Sequence, residues 1–312
     1  MSLSRNILLW ASRNDWLKNN VPKMKFVQRA VKKFMPGESL DDAIRATREL
    51  VNQNIPTTFT HLGENITSLE EAEINAQHYI DLLDRIDKEK LDIELSLKLT
   101  HIGLDLSFSK TVELFSQIAD KAHKLNNNIF IDIEDSLYVE KTVGFYRKIK
   151  ENYNNVGICL QAYLFRTMDD LKDLMAIDPW IRLVKGAYKE PPSIAFRKLT
   201  DVNKNYLALS KFLLQQIPAR NIRVAFATHD LNLQEHIKTE AKKIGIPKEK
   251  LEFQMLYGIK KSFQYKLAAD EYKIRTLISY GTHWYPWYMR RLAERPANIL
   301  FVVKNIFNNH NK

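Results

Sequence analysis

The stretch IFIDIEDS at residues 129–136 opens with a short β-type apolar run, Ile129–Ile133, and carries the carboxylates Asp132 and Glu134. It is one of eight runs of this kind. The others are Thr57–Leu62, Ile93–Leu99, Val156–Ala162, Ile181–Val184, Val224–Ala227, Leu251–Leu256 and Ile274–Tyr280. Between and after them lie stretches of helical period: Leu69–Lys88, Thr111–Leu125, Tyr138–Asn152, Thr167–Met175, Thr200–Gln216, Gln234–Ile244, Ser262–Glu271 and Tyr285–Glu294. Thr67 and Ser68 are candidate caps for the first, and Glu70, Glu71 and Glu73 suit its positive N-terminal end.

Strands that alternate with helices of this length pair in parallel through crossovers. Eight such units in roughly 250 residues fit a closed (β/α)8 barrel of the TIM type, an α/β fold. An open doubly wound sheet stays as the alternative, because closure is not written in a single sequence. Residues 1–54 read as helical, with an amphipathic pattern around Leu40–Val51. The expectation is one catalytic domain over 1–312, made of an N-terminal helical arm (1–54) and a barrel (55–312).

Of the 312 residues, 45% are apolar and 27% charged, as in an ordinary globular protein with a well-buried core. No apolar run approaches the roughly 18 residues that cross a bilayer. Ile7–Trp10 is too short for a signal-peptide core. The single cysteine, Cys159, lies in an apolar run and reads as a buried thiol. These features point to the cytoplasm. The net charge of +10 raises nucleic acid as a partner, but the basic residues are scattered among acidic ones and form no recognisable binding module. Attraction to an anionic membrane is a second reading. It draws on Trp10, Trp16 and Phe26 beside Lys18, Lys23, Lys25, Lys32 and Lys33. A solvated basic face without a partner is the third.

In such barrels the active site forms at the C-terminal ends of the strands. Polar residues collect there: Gly63-Glu64, Lys98, Asp132 and Glu134, Gln161, Arg182 and Lys185, Thr228-His229-Asp230, and Gln254. Each alone has a bland explanation as a solvated strand end. Buried polar groups must be paired, however, and seven of eight runs end this way at one rim. Dinucleotide-fold, P-loop and zinc signatures are absent, so no metal is expected. Lys98 or Lys185 could form a Schiff base, as in an aldolase. Their neighbours Arg182, Arg290 and Arg291 suit an anionic ligand instead.

The helix YMRRLAERP at 288–296 is the most specific piece. Arginine forks match a carboxylate bidentately. Successive residues project about 100° apart on a helix, so Arg290 and Arg291 meet one carboxylate only if it lies between them. Tyr288 shares a face with Arg291, while Arg290 and Glu294 stand one turn apart. A surface helix laced with ion pairs is the plainer reading.

Taken with its motifs, the chain resembles the proline dehydrogenase family, including the dehydrogenase domain of the bifunctional bacterial proline-utilisation protein. It is most similar to the short monofunctional bacterial enzymes. The resemblance covers about residues 55–310. It rests on LGE (62–64), LKLT (97–100), IDIEDS (131–136), LQAYL (160–164), RLVKGAY (182–188), ATHD (227–230), EFQMLYG (252–258) and the residues from Tyr285 to Glu294. It implies a distorted (β/α)8 barrel that holds FAD non-covalently, oxidises L-proline to 1-pyrroline-5-carboxylate and passes electrons to membrane quinone. By this resemblance Lys98, Arg290 and Arg291 bind the substrate carboxylate and Tyr288 packs on its ring. Asp132 and Arg182 are active-site residues, with Arg182 near the flavin N5. Ile133, Gln161, Lys185, Gly186, Ala187, Thr228, His229 and Gln254 contact the flavin, and Glu64 gates the pocket by pairing with Arg290. One departure is Leu277, where the family often has tyrosine; its absence removes a hydroxyl near the substrate ring.

Overall fold

In a computed structural model, which describes residues 8, 10–12, 14–63 and 66–294, the eight apolar runs are eight parallel strands closed into a barrel in sequence order. The open sheet is thereby excluded. The strands are β1 (Thr57–His61), β2 (Ile93–Lys98), β3 (Ile129–Asp132), β4 (Val156–Gln161), β5 (Trp180–Val184), β6 (Arg223–Ala227), β7 (Glu252–Leu256) and β8 (Lys273–Tyr280). Before them the described residues include the helices α1 (Asp15–Asn20), α2 (Lys25–Val31) and α3 (Leu40–Val51). One helix follows each strand in turn: α4 (Leu69–Glu89), α5 (Phe108–Lys124), α6 (Ser136–Lys150), α7 (Thr167–Leu174), α8 (Leu199–Gln216), α9 (Leu231–Ile244), α10 (Lys261–Ala269) and α11 (Trp284–Glu294).

Several helices start earlier than their apolar period indicates, and capping is the reason. Ser107, Asp135 and Asp230 each accept a backbone N–H of the first turn, so α5, α6 and α9 begin directly after them. Of the two candidate caps before α4, Ser68 takes the position and accepts from Glu71 N. Helix α3 opens with a full capping box between Ser39 and Asp42.

The strands have two unlike faces. Leu95, Leu97, Ile131, Ile158, Leu160, Ile181 and Leu183 are buried against the surrounding helices, and with them they form the main hydrophobic core. The alternate residues face the barrel axis, because side chains on a strand point to opposite sides in turn. In register across neighbouring strands are Ser96 with Phe130, Cys159 with Arg182, Ala227 with Gln254, and Gln254 with Arg275. The barrel interior is therefore largely polar. Cys159 is the buried free thiol expected, and burial pushes its pKa up to about 12.

Toward the N-terminal end of the barrel the interior is an ion-pair network. Arg223 meets Glu94 at 2.6 Å and Glu252 at 2.8 Å, and Arg275 meets Glu94 at 3.3 Å and Asp92 at 2.9 Å. Asn128 donates to Glu94 at 2.8 Å. Above this layer the Phe130 ring lies between the guanidinium groups of Arg182 (4.4 Å) and Arg223 (5.3 Å). Gly157 leaves room for that ring, since a Cβ there would come within 2.5 Å of Phe130 Cε1.

The arm is built differently. Helix α3 belongs to the barrel's own core through Ala43, Ile44, Ala46 and Leu50. Leu8, Val27, Val31 and Met35 form a second cluster with Leu62 and α11. The arm thus packs on the last helix of the barrel. Among the described residues no helix is long and apolar enough to cross a membrane.

Gly157→Ala tests the rigidity of the interior. The added methyl must displace a ring held between two cations, so unfolding by denaturant should show a loss of about 1–3 kcal/mol. An unchanged stability would mean that the interior repacks freely.

Candidate active site

Arg182 is the middle residue of β5 and is only 2% exposed. A guanidinium at that depth requires acceptors. Its Nε donates to Gln254 Oε1 at 2.6 Å, and its Nη1 donates to Ser96 Oγ at 2.7 Å and Asp132 Oδ1 at 2.9 Å. Ser96 Oγ also donates to Asp132 Oδ1 at 2.7 Å, which ties the three groups together. Arg182 Nη2 is buried with no hydrogen-bond partner. Its two hydrogens are donors in a site that offers them no protein acceptor. Lys98, at the end of β2, is in register with Asp132 and extends the same polar face.

The neighbouring rim contributes a second unpartnered group. Gln161 donates through Nε2 to the carbonyl of Glu134 at 3.0 Å, while its Oε1 is buried without a partner. Glu134 is itself held by Thr100 Oγ1 at 2.7 Å, which joins the ends of β2 and β3. Ile133, between Asp132 and Glu134, is buried. The next loop turns at Gly186, whose φ of +106° suits glycine, and a Cβ there would strike the Tyr163 ring at 2.2 Å. Tyr163 donates to Glu190 Oε1 at 3.2 Å, and the same carboxylate accepts from Ser136 N at 2.9 Å. The segment Lys185-Gly186-Ala187 is thus fixed against two other rim loops.

Lys185 forms an ion pair with Asp230 at 2.8 Å. Burial works against the Asp230 charge, but the Lys185 ammonium and the first amides of α9 hold its pKa below the ordinary carboxylate range. A Schiff-base lysine needs an unpaired, desolvated amine, whereas the Lys185 ammonium is engaged by a carboxylate. Thr228 accepts from Asp230 N at 3.2 Å, and His229 Nε2 accepts from Leu256 N at 2.9 Å, so the His229 ring proton is on Nδ1.

Helix α11 closes the mouth beside the arm. Trp284 Nε1 donates to Glu38 at 2.7 Å, and the Tyr285 hydroxyl donates to the carbonyl of Ala11 at 3.3 Å. Tyr288 is 2% exposed and its ring lies 5.9 Å from Phe34 and 6.1 Å from Trp284. Its hydroxyl is buried without a partner, and burial pushes its pKa up to about 12. Arg290 reaches across to the β5 loop, where its Cζ stands 5.3 Å from the Tyr188 ring. Arg291 is half-buried on the next helical position. Glu64 and the Glu294 side chain, expected companions of Arg290, lie outside the described residues. Leu277 is half-buried on the inward face of β8, in register with Thr58 and Leu256.

Of the residues read from sequence, Asp132, Arg182 and Gln254 share one hydrogen-bonded group inside the barrel. Gln254 has both ends engaged there, since its Nε2 donates to Glu252 Oε1 at 2.7 Å. Ser96, Glu252 and Glu190 join the site without any signal in the sequence. So does an aromatic and histidine cluster at the end of β1. His61 stands 4.3 Å from His78 and 5.3 Å from His101, and stacks on Tyr280 at 5.1 Å. His78 Nε2 and the Tyr280 hydroxyl are 2.7 Å apart. Gly63 sits directly on the His101 ring. Among the described residues, no group of His, Cys, Asp or Glu is arranged to hold a metal ion.

An eight-stranded α/β barrel that holds buried, partly unpartnered arginine and glutamine groups has the architecture of a barrel enzyme. Comparison with known proteins gives the family. A sequence model described as proline dehydrogenase matches residues 43–304. Proline dehydrogenase 2 of Bacillus subtilis strain 168 is 36% identical over 304 residues, covering 97% of this chain and 99% of that one. Proline dehydrogenase of Deinococcus radiodurans is 34% identical over 283 residues, or 88% and 89% of the two chains. Proline utilization A from Bdellovibrio bacteriovorus, solved after inactivation by N-propargylglycine, is similar in fold with a TM-score of 0.79 at 24% identity. That match covers 92% of this chain but only 38% of the much longer one. The chain belongs to the proline dehydrogenase family.

The histidine cluster carries a pH dependence. Burial, together with the mutual repulsion of the rings, lowers the pKa of His61 to about 4 and that of His101 to about 3; burial also lowers His78. Below the ordinary histidine value of about 6.5 the unfolded chain takes up protons that the folded chain refuses. Stability to denaturant should therefore fall as pH drops from about 6.5 toward 5, and His61→Gln with His101→Gln should flatten that slope. An identical slope in the double variant would contradict the assignment.

Proposed function

We propose that this protein oxidises L-proline to 1-pyrroline-5-carboxylate, with FAD held non-covalently at the barrel mouth and membrane quinone as the final electron acceptor. The observation that carries the reading is Arg182, a buried cation with Nη2 lacking any protein partner. A donor left open at that depth fits a bound ligand rich in acceptors. The buried Oε1 of Gln161 suits the N–H edge of the same ligand. When bound, the flavin takes up the hydride that leaves the proline ring carbon next to nitrogen.

The residues of this chain supply binding, orientation and charge. Arg182, with Asp132 fixing it, is a preorganised cation for negative charge that accumulates on the group it faces. Ile133, Gln161, Lys185, Gly186, Ala187, Thr228 and His229 are the proposed cofactor-holding residues, with Gln254 acting beside them through Arg182. Gly186 gives close backbone approach, and Lys185 adds positive charge for a pyrophosphate. Lys98, Arg290 and Arg291 bind the proline carboxylate. Tyr288, whose hydroxyl has no protein partner, borders the substrate ring, and Glu64 gates the pocket. Leu277 gives that pocket an apolar wall in place of a hydroxyl. The proposed location is cytoplasmic, peripheral on the inner membrane face. Trp10 and Trp16 are 62% and 65% exposed on the arm, and Lys23, Arg29 and Lys32 are exposed near them in sequence. This mixture suits an anionic bilayer.

Purified protein supplied with FAD should show a visible flavin band that bleaches anaerobically with L-proline; a protein that takes up no FAD, or whose flavin stays oxidised, contradicts the reading. Arg290→Ala and Arg291→Ala should each raise KM for proline by roughly ten- to a hundredfold at unchanged FAD content, since a charge-assisted pair contributes about 1.5–3 kcal/mol. A wild-type KM in both variants would remove the carboxylate clamp.

A further inference from the structure

We propose that Glu252, acting through Gln254, is a positioning residue that sets the orientation of the Arg182 guanidinium and so keeps Nη2 available to a ligand. The inference rests on the reading of Arg182 as the cation beside the flavin.

The guanidinium is planar, with its donors in a rigid fork. Two of its three nitrogens are pinned: Nε to Gln254 Oε1 and Nη1 to Ser96 and Asp132. Two fixed points in a plane leave no rotation, so the direction of Nη2 follows from them. The Nη1 anchor is unambiguous, because a carboxylate oxygen accepts. The Nε anchor is not. A glutamine amide has an accepting end and a donating end of nearly the same shape. Turned over, Gln254 would set an N–H against the Arg182 N–H, and the anchor would become a repulsion.

Glu252 decides which way the amide lies. It accepts from Gln254 Nε2 at 2.7 Å, and an ionised carboxylate has no donor to offer. The accepting end of Gln254 is thereby forced toward Arg182. Glu252 is itself immobile and charged. It is 5% exposed and accepts two hydrogen bonds from Arg223, each at 2.8 Å. Burial opposes its charge, but Arg223 and Arg275 hold its pKa below the ordinary glutamate value. Residues two apart on a strand share a face, so the Glu-x-Gln spacing at 252–254 places both side chains on the barrel axis. Glu252 thus acts on Arg182 without touching it, and the ion pairs of the lower barrel end in the upper one.

The test compares FAD-loaded wild-type protein with Gln254→Met, Glu252→Gln and the double swap Glu252→Gln/Gln254→Glu. Gln254→Met conserves volume and removes the amide. It should lower kcat per bound flavin by roughly ten- to a hundredfold while KM for proline moves by less than about threefold. Bound FAD should stay stoichiometric, and the flavin midpoint potential should be displaced. Glu252→Gln should act in the same direction. In the double swap the new carboxylate accepts from both Arg182 Nε and the new amide, and kcat should return to within about threefold of wild type. A wild-type kcat in Gln254→Met overturns the inference, and so does a loss that the swap does not restore. If Glu252→Gln fails to fold, Gln254→Met and the swap still decide. Wild-type protein whose flavin L-proline cannot reduce would overturn the functional reading instead.

Discussion

A guanidinium buried inside a β-barrel cannot be left to solvent, and the arrangement of this protein follows from meeting that requirement at Arg182. Three strands besides its own supply acceptors: β2 with Ser96, β3 with Asp132 and β7 with Gln254. Those strands stand on different sides of the axis. The charge can be satisfied only if the sheet closes. Removing any one acceptor leaves a buried donor unmet, which costs about 1–3 kcal/mol or more for a charged group.

Filling the axis with charge moves the apolar core outward. The branched residues that pack barrel interiors elsewhere are here on the outer face, between strands and helices. Stability and the site therefore draw on the same side chains. The lower ion pairs of Arg223, Arg275, Glu94 and Glu252 continue through Gln254 to Arg182, with Phe130 between the two layers. At the mouth the same economy holds. Glu190 joins the loops after β3, β4 and β5, while Glu38 and Ala11 of the arm hold the helix that carries Arg290 and Arg291.

The sequence made much of this legible. Apolar runs such as Ile129–Ile133 marked every strand to within one residue at each end. Their polar termini pointed to one rim. Helix starts were less visible, because Ser107, Asp135 and Asp230 interrupt the apolar period and only their capping bonds show where the helices begin. Closure was invisible as well, and everything that depends on pairing across the axis went with it. Ser96 reads as one hydroxyl in an apolar strand, and Glu252 as an acid at a strand start. Their roles exist only once β2, β5 and β7 face each other. Gln254 was read as a cofactor contact, and the barrel engages both ends of its amide. The histidine cluster is spread over β1, α4 and the turn after β2, with no spacing that could announce it.

The central proposal is that the Arg182 guanidinium, with its open donor Nη2, is the protein's fixed charge against a bound flavin. A crystal structure of the FAD-loaded protein tests it most directly. Arg182 Nη2 is expected within about 2.7–3.2 Å of an acceptor atom of the flavin ring, with Nε still on Gln254. A flavin ring seated elsewhere in the barrel, with Nη2 satisfied by protein or water, would contradict it.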